Sequence, residues 1–314
     1  MIDVASDRVV IVGGAGFLGT ALARRFGQGG HRVLVADLAE RLAAAADRLQ
    51  GIETAILDFP DLTGIERVLE GADVLVHLAC TSTPASSMVS FARDVADNIV
   101  PSVDLFEKAG KAGVPRVIFA SSGGTVYGTP VSLPVSEDAA GNPLSGYGAS
   151  KLAIENYLSL AAARDGFTGI SMRIGNPYGS FQLRGAAIGV IANYLSRVRR
   201  GEAPEVWGDG GIVRDYVHID DVADAFLEAL EVPDLASGAY NIGSGVGVSI
   251  NTIWEMIRAV TGTDLSLQYR QSRSFDVAAI VLDIARFRAA TGWAPRIDLH
   301  DGITGLWNTL GPGR

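Results

Sequence analysis

Tyr147 and Lys151 stand four residues apart in the stretch Tyr-Gly-Ala-Ser-Lys, which puts a phenol and an ammonium group on one face of a helix. A free phenol ionises near pH ~10 and is a poor base at neutral pH. Neighbouring positive charge favours the phenolate, and a lysine supplies one such charge. Bringing the phenol near neutrality takes roughly 4 kcal/mol, which two cations in a partly desolvated site can provide. Such a pair takes a proton from a hydroxyl if something nearby accepts the hydride from the same carbon. Tyr-x-x-x-Lys alone is common on surface helices, so its meaning depends on the rest of the chain.

The hydride acceptor is indicated near the start. A β-branched run at residues 9–12 breaks into Gly13-Gly-Ala-Gly16-Phe17-Leu18-Gly19, and residues 21–26 then show helical spacing. Strand, glycine turn and helix form the context that a dinucleotide fingerprint requires. The glycines permit the turn and let backbone approach a pyrophosphate, which the unpaired amides and dipole of the helix start then face. The second strand, residues 32–37, ends at Asp37. A carboxylate there accepts from the 2′-hydroxyl of the adenosine ribose and repels a 2′-phosphate, which favours NAD over NADP. Arg41, one turn into the next helix, points the other way.

The intervening elements must bring these groups together. A third strand, residues 54–57, ends at Asp58-Phe59, an adenine-side contact, and residues 61–71 are expected to be helical. A fourth strand, residues 73–79, contains His77, read as a packed histidine. The four histidines are not spaced with cysteine or acid as a ligand set, so no metal is expected. Residues 88–113 suggest one long helix holding Asn98, kinked or delimited by Pro101. The fifth strand, residues 114–120, runs into Ser121-Ser122-Gly-Gly-Thr125-Val-Tyr-Gly128. This alternation predicts an α/β fold with a doubly wound parallel sheet of Rossmann type, whose ligands bind beyond the carboxyl ends of the strands. Asp37, Asp58, Ala79 and Ser122 all fall at such ends.

Composition narrows the classes. The chain has 314 residues, 48% hydrophobic, enough for a large α/β domain and a smaller one. A single cysteine, Cys80, excludes an internal disulfide and suits a reducing compartment. The net charge of −9 gives no sign of a basic nucleic-acid face. There is no apolar stretch of membrane-spanning length and no basic-then-apolar start. A soluble cytoplasmic protein, with neither membrane nor nucleic-acid partner, is expected.

The chain resembles an extended short-chain dehydrogenase/reductase of the NAD-dependent epimerase/dehydratase family, most like the UDP-glucose 4-epimerase-type sugar-nucleotide enzymes. The resemblance is carried by residues 13–19, His77-Leu-Ala79, residues 121–128, Tyr147-x-x-x-Lys151, Arg173-Ile-Gly-Asn-Pro-Tyr-Gly179 and Asp215-Tyr-Val-His-Ile-Asp-Asp-Val222. It implies that Tyr147 is the acid/base and that Lys151 binds the nicotinamide ribose. Gly13, Gly16, Phe17, Leu18, Gly19, Asp37 and Leu38 are expected to hold NAD, joined by Asp58, Phe59, Leu78, Ala79 and Asn98. A hydroxyl residue should assist the proton transfer, but Gly123 occupies its place, leaving Ser122 or Thr125. Related 4,6-dehydratases carry a Thr-Asp-Glu set in this loop, because eliminating water needs a further acid and base. Gly123-Gly124-Thr125 has no carboxylate, so dehydration is not expected.

The resemblance also places Asn176, Val190 with residues 188–189, Trp207 with residues 205–206, Arg214 and Arg273 around a nucleotide diphosphate, whose oxygens suit the arginine fork. Asp276 is assigned to a ribose hydroxyl. Residues 1–175 with about 212–232 form the expected NAD domain, and residues 176–211 with 233–314 a smaller, discontinuous α/β substrate domain. His218 is expected to pack within its strand, Asp220 to cap a helix at 222–231, and Ser249 to cap a helix that stops at Gly262. The helices at 88–113 and 147–164 are expected to pair across a homodimer. The implied activity is an NAD-dependent 4-epimerase of a sugar nucleotide, UDP-sugars favoured, acting through a 4-keto intermediate. The alternatives are a 4-ketosugar reductase or sugar dehydrogenase with net cofactor turnover, and a non-catalytic nucleotide sensor.

Overall fold

The computed structural model describes residues 6–180, 189–271 and 277–310. The first half alternates as the sequence predicts: β1 (Arg8–Val12), α1 (Phe17–Gln28), β2 (Arg32–Asp37), α2 (Ala39–Ala45), β3 (Glu53–Ile56), α3 (Ile65–Leu69) and β4 (Val74–His77). The following helix is segmented into α4 (Phe91–Asp94), a π turn at Val95–Ile99 and α5 (Val100–Lys111). The cause is Pro101, which has no N–H to donate and whose ring crowds the preceding turn, so the helix widens ahead of it. Then come β5 (Arg116–Ser122), α6 (Gly146–Asp165) and β6 (Thr168–Ile174). The helix expected at 61–71 shrinks to α3, because Leu62 and Gly64 both take positive φ just before it.

The second half contains β7 (Asn176–Tyr178), α7 (Val190–Arg199), β8 (Glu205–Trp207), β9 (Val213–His218), α8 (Ile219–Glu231) and β10 (Gly238–Ile242). It closes with β11 (Gly247–Ser249), α9 (Ile250–Thr261), β12 (Gln268–Arg270), α10 (Ala285–Thr291) and α11 (Leu299–Leu310). No helix among the described residues is long and apolar enough to cross a membrane.

Seven parallel strands form the main sheet in the order β10-β6-β5-β4-β1-β2-β3. Val9 and Ile11 face one core with α1, α8 and Phe287, while Val10 and Val12 face the other with α5 and α6. Strands covered on both faces are continuous apolar runs, as in β1. The chain leaves β1 towards β2 and β3, then returns to β4 on its other side. The crevice beyond the β1 and β4 carboxyl ends is the switch point where such folds bind ligands.

Two strands fall outside the expected division. β9, expected with the first unit, instead pairs with β7 and β11 in a separate three-stranded sheet. β10, expected in the smaller unit, is the seventh strand of the main sheet. Its Tyr240 and Ile242 alternate into the core shared with α8, and the fully buried Asn241 between them donates to the carbonyls of Val135 and Asp283. His218 does not simply pack within its strand. Its Nδ1 accepts from the Asp220 amide at 3.2 Å, so His218 caps α8 and Asp220 lies in the first turn. Ser249 and Gly262 bound α9 as expected.

Candidate active site

The glycine turn joins β1 to α1 with almost no spare room. A Cβ on Gly13, whose φ is +79°, would come within 2.5 Å of the Ala79 backbone, and one on Gly19 within 2.4 Å of Gly14. At Gly16, the N-cap of α1, a Cβ would meet nothing within 4 Å. The backbone there borders open cleft, which is the cradle a pyrophosphate needs. Asp37 is 6% exposed and accepts from the Ala15 amide at 2.9 Å and the Leu38 amide at 2.8 Å. Its carboxylate is thus pinned between the glycine turn and the end of β2.

One cavity of about 330 Å³ is lined by Gly13, Gly16, Phe17, Leu18, Gly19, Asp37 and Leu38, closed by Asp58, Phe59, Leu78 and Ala79. Arg41, Cys80 and Thr81 share its wall. This glycine cradle with an acid at the strand end fits a dinucleotide. Asn98 is not brought to the cleft. It is 2% exposed, and its Oδ1 accepts from the Thr81 amide at 2.8 Å, so it supports the wall from behind. His77 is fully buried against the rings of Phe59, Phe106 and Phe119. Burial, and then the Lys151 charge, lower its pKa well below the usual value.

A second cavity adjoins the first at Phe17 and is lined by Ser122, Thr125, Tyr147, Asn176, Val190 and Arg214. A third continues from Asn176, Val190 and Arg214 to Trp207. Volumes of about 450 and 680 Å³ are within the range of small-molecule sites. Arg214 Nη1 donates to the carbonyls of Val213 and Val277, which holds it across β9 and the returning chain. Arg273, Asp276 and Ile188 lie outside the described residues.

Ser145 caps α6, accepting from the Gly148 amide at 3.2 Å, and so starts the helix that carries Tyr147 and Lys151. Lys151 is 4% exposed. Its Nζ donates to the Ala120 carbonyl at 2.8 Å and lies 5.5 Å from the Tyr147 ring centre. Ser122 lines the same cavity as Tyr147 and acts to lower the phenol's pKa, whereas the Thr125 hydroxyl turns to the Ser122 carbonyl at 3.5 Å. Gly123 has no room for a side chain, since a Cβ there would lie 2.6 Å from Leu282 and 2.9 Å from the Arg173 carbonyl. Burial pushes the Tyr147 pKa above that of a free phenol, reinforced by Cys80 and Asp94 and opposed by Ser122. Burial lowers that of Lys151, against the pull of Cys80, Glu155 and Asp94.

Two buried acids near this pair were not anticipated. Asp94 accepts from Ser150 Oγ at 2.5 Å and Asn98 Nδ2 at 3.1 Å. Glu155, 7% exposed, accepts from Ser121 Oγ and from Arg173. Only the Glu155 position carried a local signal, since it follows Lys151 by one helical turn.

The model of the NAD dependent epimerase/dehydratase family matches residues 9–243. The chain is 34% identical over 303 residues to a UDP-glucose 4-epimerase of Mycolicibacterium smegmatis, covering 94% of this chain and 96% of that protein. It is 31% identical to a dTDP-4-dehydro-6-deoxyglucose reductase of Escherichia coli, covering 98% and 99% of the two chains. The crystal structure of a UDP-glucose 4-epimerase from Thermotoga maritima with UDP-glucose matches with a TM-score of 0.88 at 33% identity, covering 96% of this chain and 98% of that one.

Proposed function

Because the chain belongs to the NAD dependent epimerase/dehydratase family, we propose that it is an NAD-dependent 4-epimerase of a sugar nucleotide, with a UDP-sugar as the favoured substrate. The observation that carries this reading is Tyr147, beside Ser122 and flanked by Lys151, on the cavity that adjoins the glycine cradle.

Gly16 and the first turn of α1 would hold the pyrophosphate of NAD, Asp37 the adenosine ribose and Lys151 the nicotinamide ribose. Bound NAD supplies a reversible hydride acceptor at C4 and positive charge beside Tyr147. Tyr147 takes the proton of the C4 hydroxyl, Ser122 sharing its hydrogen bond, and C4 becomes a carbonyl as its hydride leaves. The 4-keto sugar then turns about its link to the diphosphate. Tyr147 returns the proton as hydride re-enters on the opposite face. Asn176, Val190, Trp207 and Arg214 retain the nucleotide during the turn, and the sequence adds Arg273 and Asp276 to that set.

The decisive experiment incubates purified protein with UDP-, dTDP- and GDP-sugars without added cofactor. Interconversion of C4 epimers supports the reading. Turnover only with stoichiometric NADH or NAD would replace it with a reductase or dehydrogenase, as the similarity to the E. coli protein allows. No turnover with any sugar would leave a nucleotide sensor. The protein is further proposed to be cytoplasmic and homodimeric. Phe91, Val95 and Val100 along α4 to α5, with Tyr157 and Leu160 on α6, expose apolar side chains that a second copy would cover. Sedimentation at the monomer mass would remove the dimer.

A further inference from the structure

Tyr147, Lys151 and Glu155 recur at every fourth residue of α6, and each meets the active-site end of β5. Tyr147 shares its cavity with Ser122, Lys151 Nζ donates to the Ala120 carbonyl at 2.8 Å, and Glu155 accepts from the Ser121 hydroxyl. The third rung has no part in the proton transfer described above. Its carboxylate is held by Arg173, the residue opposite Ser121 on β6, through Nη2 at 2.7 Å and Nε at 3.1 Å. Arg173 Nη1 donates to the Tyr127 hydroxyl at 2.9 Å, which in turn donates to Asn241 Oδ1 on β10 at 2.6 Å. Ser121, Glu155, Arg173, Tyr127 and Asn241 are each less than 9% exposed.

A buried ion pair gives little net stability compared with apolar residues of the same volume, so stability alone is a weak reason for this one. Its place gives another. Ala120 carries the acceptor of the Lys151 ammonium and Ser122 lies beside Tyr147, while the Ser121 rung ties the segment between them to a carboxylate that Arg173 holds in place. We propose that Glu155, anchored by Arg173, is a positioning residue that clamps the end of β5 to α6 and keeps Ser122 and Lys151 in register with Tyr147. Its negative charge also favours the Lys151 ammonium. The proposal rests on the reading that Tyr147 performs the proton transfer.

The test compares Glu155→Gln, a Glu155→Met/Arg173→Met double variant and Tyr147→Phe, using the sugar nucleotide that the wild-type protein converts in the panel above. Misplacing reacting groups by about 1 Å costs up to roughly a hundredfold in rate. Glu155→Gln should therefore lose about tenfold to a hundredfold in kcat, with KM and NAD affinity changed less than about threefold. It also strands the Arg173 charge and should melt earlier. The double variant removes both charges, so it should regain melting temperature while kcat stays low. Recovery of kcat together with stability would reduce the pair to a structural brace and overturn the proposal, as would wild-type kcat in Glu155→Gln. Full activity in Tyr147→Phe would instead remove the underlying reading of the site, whatever the other variants do.

Discussion

Lys151 lies 5.5 Å from the ring of Tyr147, yet the phenol is held above its ordinary pKa. Burial is the largest cause, and Cys80 and Asp94 add to it. The lysine and Ser122 do not overcome this, so the missing positive charge must arrive with oxidised cofactor. Protein stripped of cofactor should show no phenolate absorbance from Tyr147 below pH ~10, the value of a free phenol. Loading NAD should move that ionisation to lower pH, and reducing the cofactor should move it back. Tyr147→Phe should remove the NAD-linked spectral change and about 10²- to 10⁴-fold of the turnover. An unchanged ionisation on loading would mean that the cofactor charge does not reach Tyr147.

Gly16 and Gly19 belong to one turn but should fail differently when substituted. A Cβ at Gly19 would sit 2.4 Å from Gly14, whereas one at Gly16 would enter open cleft. Gly19→Ala should lower stability by about 1–3 kcal/mol through forced overpacking, measured by urea unfolding. Gly16→Val should fold with nearly wild-type stability and lose NAD binding, measured by calorimetry. Retained NAD affinity in Gly16→Val would mean that the pyrophosphate does not lie against the turn.

The cofactor half of the cleft was legible because its signals are local. A glycine turn after a β-branched strand, and an acid ending the next strand, report backbone geometry within a few residues. The choice between Ser122 and Thr125 was not legible, because it depends on how the end of β5 twists towards α6 and on Leu282 crowding Gly123. The Glu155–Arg173 pair joins a helix to a strand, and the spacing of Glu155 from Lys151 does not reveal its partner. The pairing of β10 with β6 is not legible, because a short strand shows its alternation but not its partner. The capping of α8 by His218 is not legible either, because Asp220, two residues on, is the commoner capping residue type.

His77 gives a stability prediction with a definite sign. Burial, with the Lys151 charge second, keeps its folded-state pKa well below the usual 6.5. The native protein therefore holds this proton less tightly than the unfolded chain does. The stability it contributes is complete above pH ~6.5 and is lost as pH falls towards the folded value, by up to about 1.4 kcal/mol per pH unit. Its ring is surrounded by Phe59, Phe106 and Phe119, so His77→Phe keeps the packing. Ser102 loses its 2.8 Å contact with His77 Nε2 but still donates to the Asn98 carbonyl at 2.6 Å. Unfolding free energies between pH ~4 and ~7 should flatten in His77→Phe relative to wild type, the difference between the two curves isolating His77 from the other groups that titrate in this range. Parallel curves would assign the acid sensitivity to other groups.

Asp37 and Arg41 line the same end of the cofactor cleft with opposite charges. The carboxylate is fixed by two backbone amides, while Arg41 lies on α2, one turn further on. A 2′-phosphate would be repelled by the fixed Asp37 side chain, whereas a ribose hydroxyl would find an acceptor there. Losing a hydrogen bond to a charged group costs roughly 1.5–3 kcal/mol, so Asp37→Asn should weaken NAD binding by about tenfold to a hundredfold. The same change removes the repulsion and leaves Arg41 to attract a phosphate, so NADP affinity should rise. Adding Arg41→Ala should cancel the NADP gain without restoring NAD, which separates loss of repulsion from new attraction. Titration calorimetry with both cofactors reads all three effects. An unaltered NAD preference in Asp37→Asn would place the adenosine ribose elsewhere in the cleft.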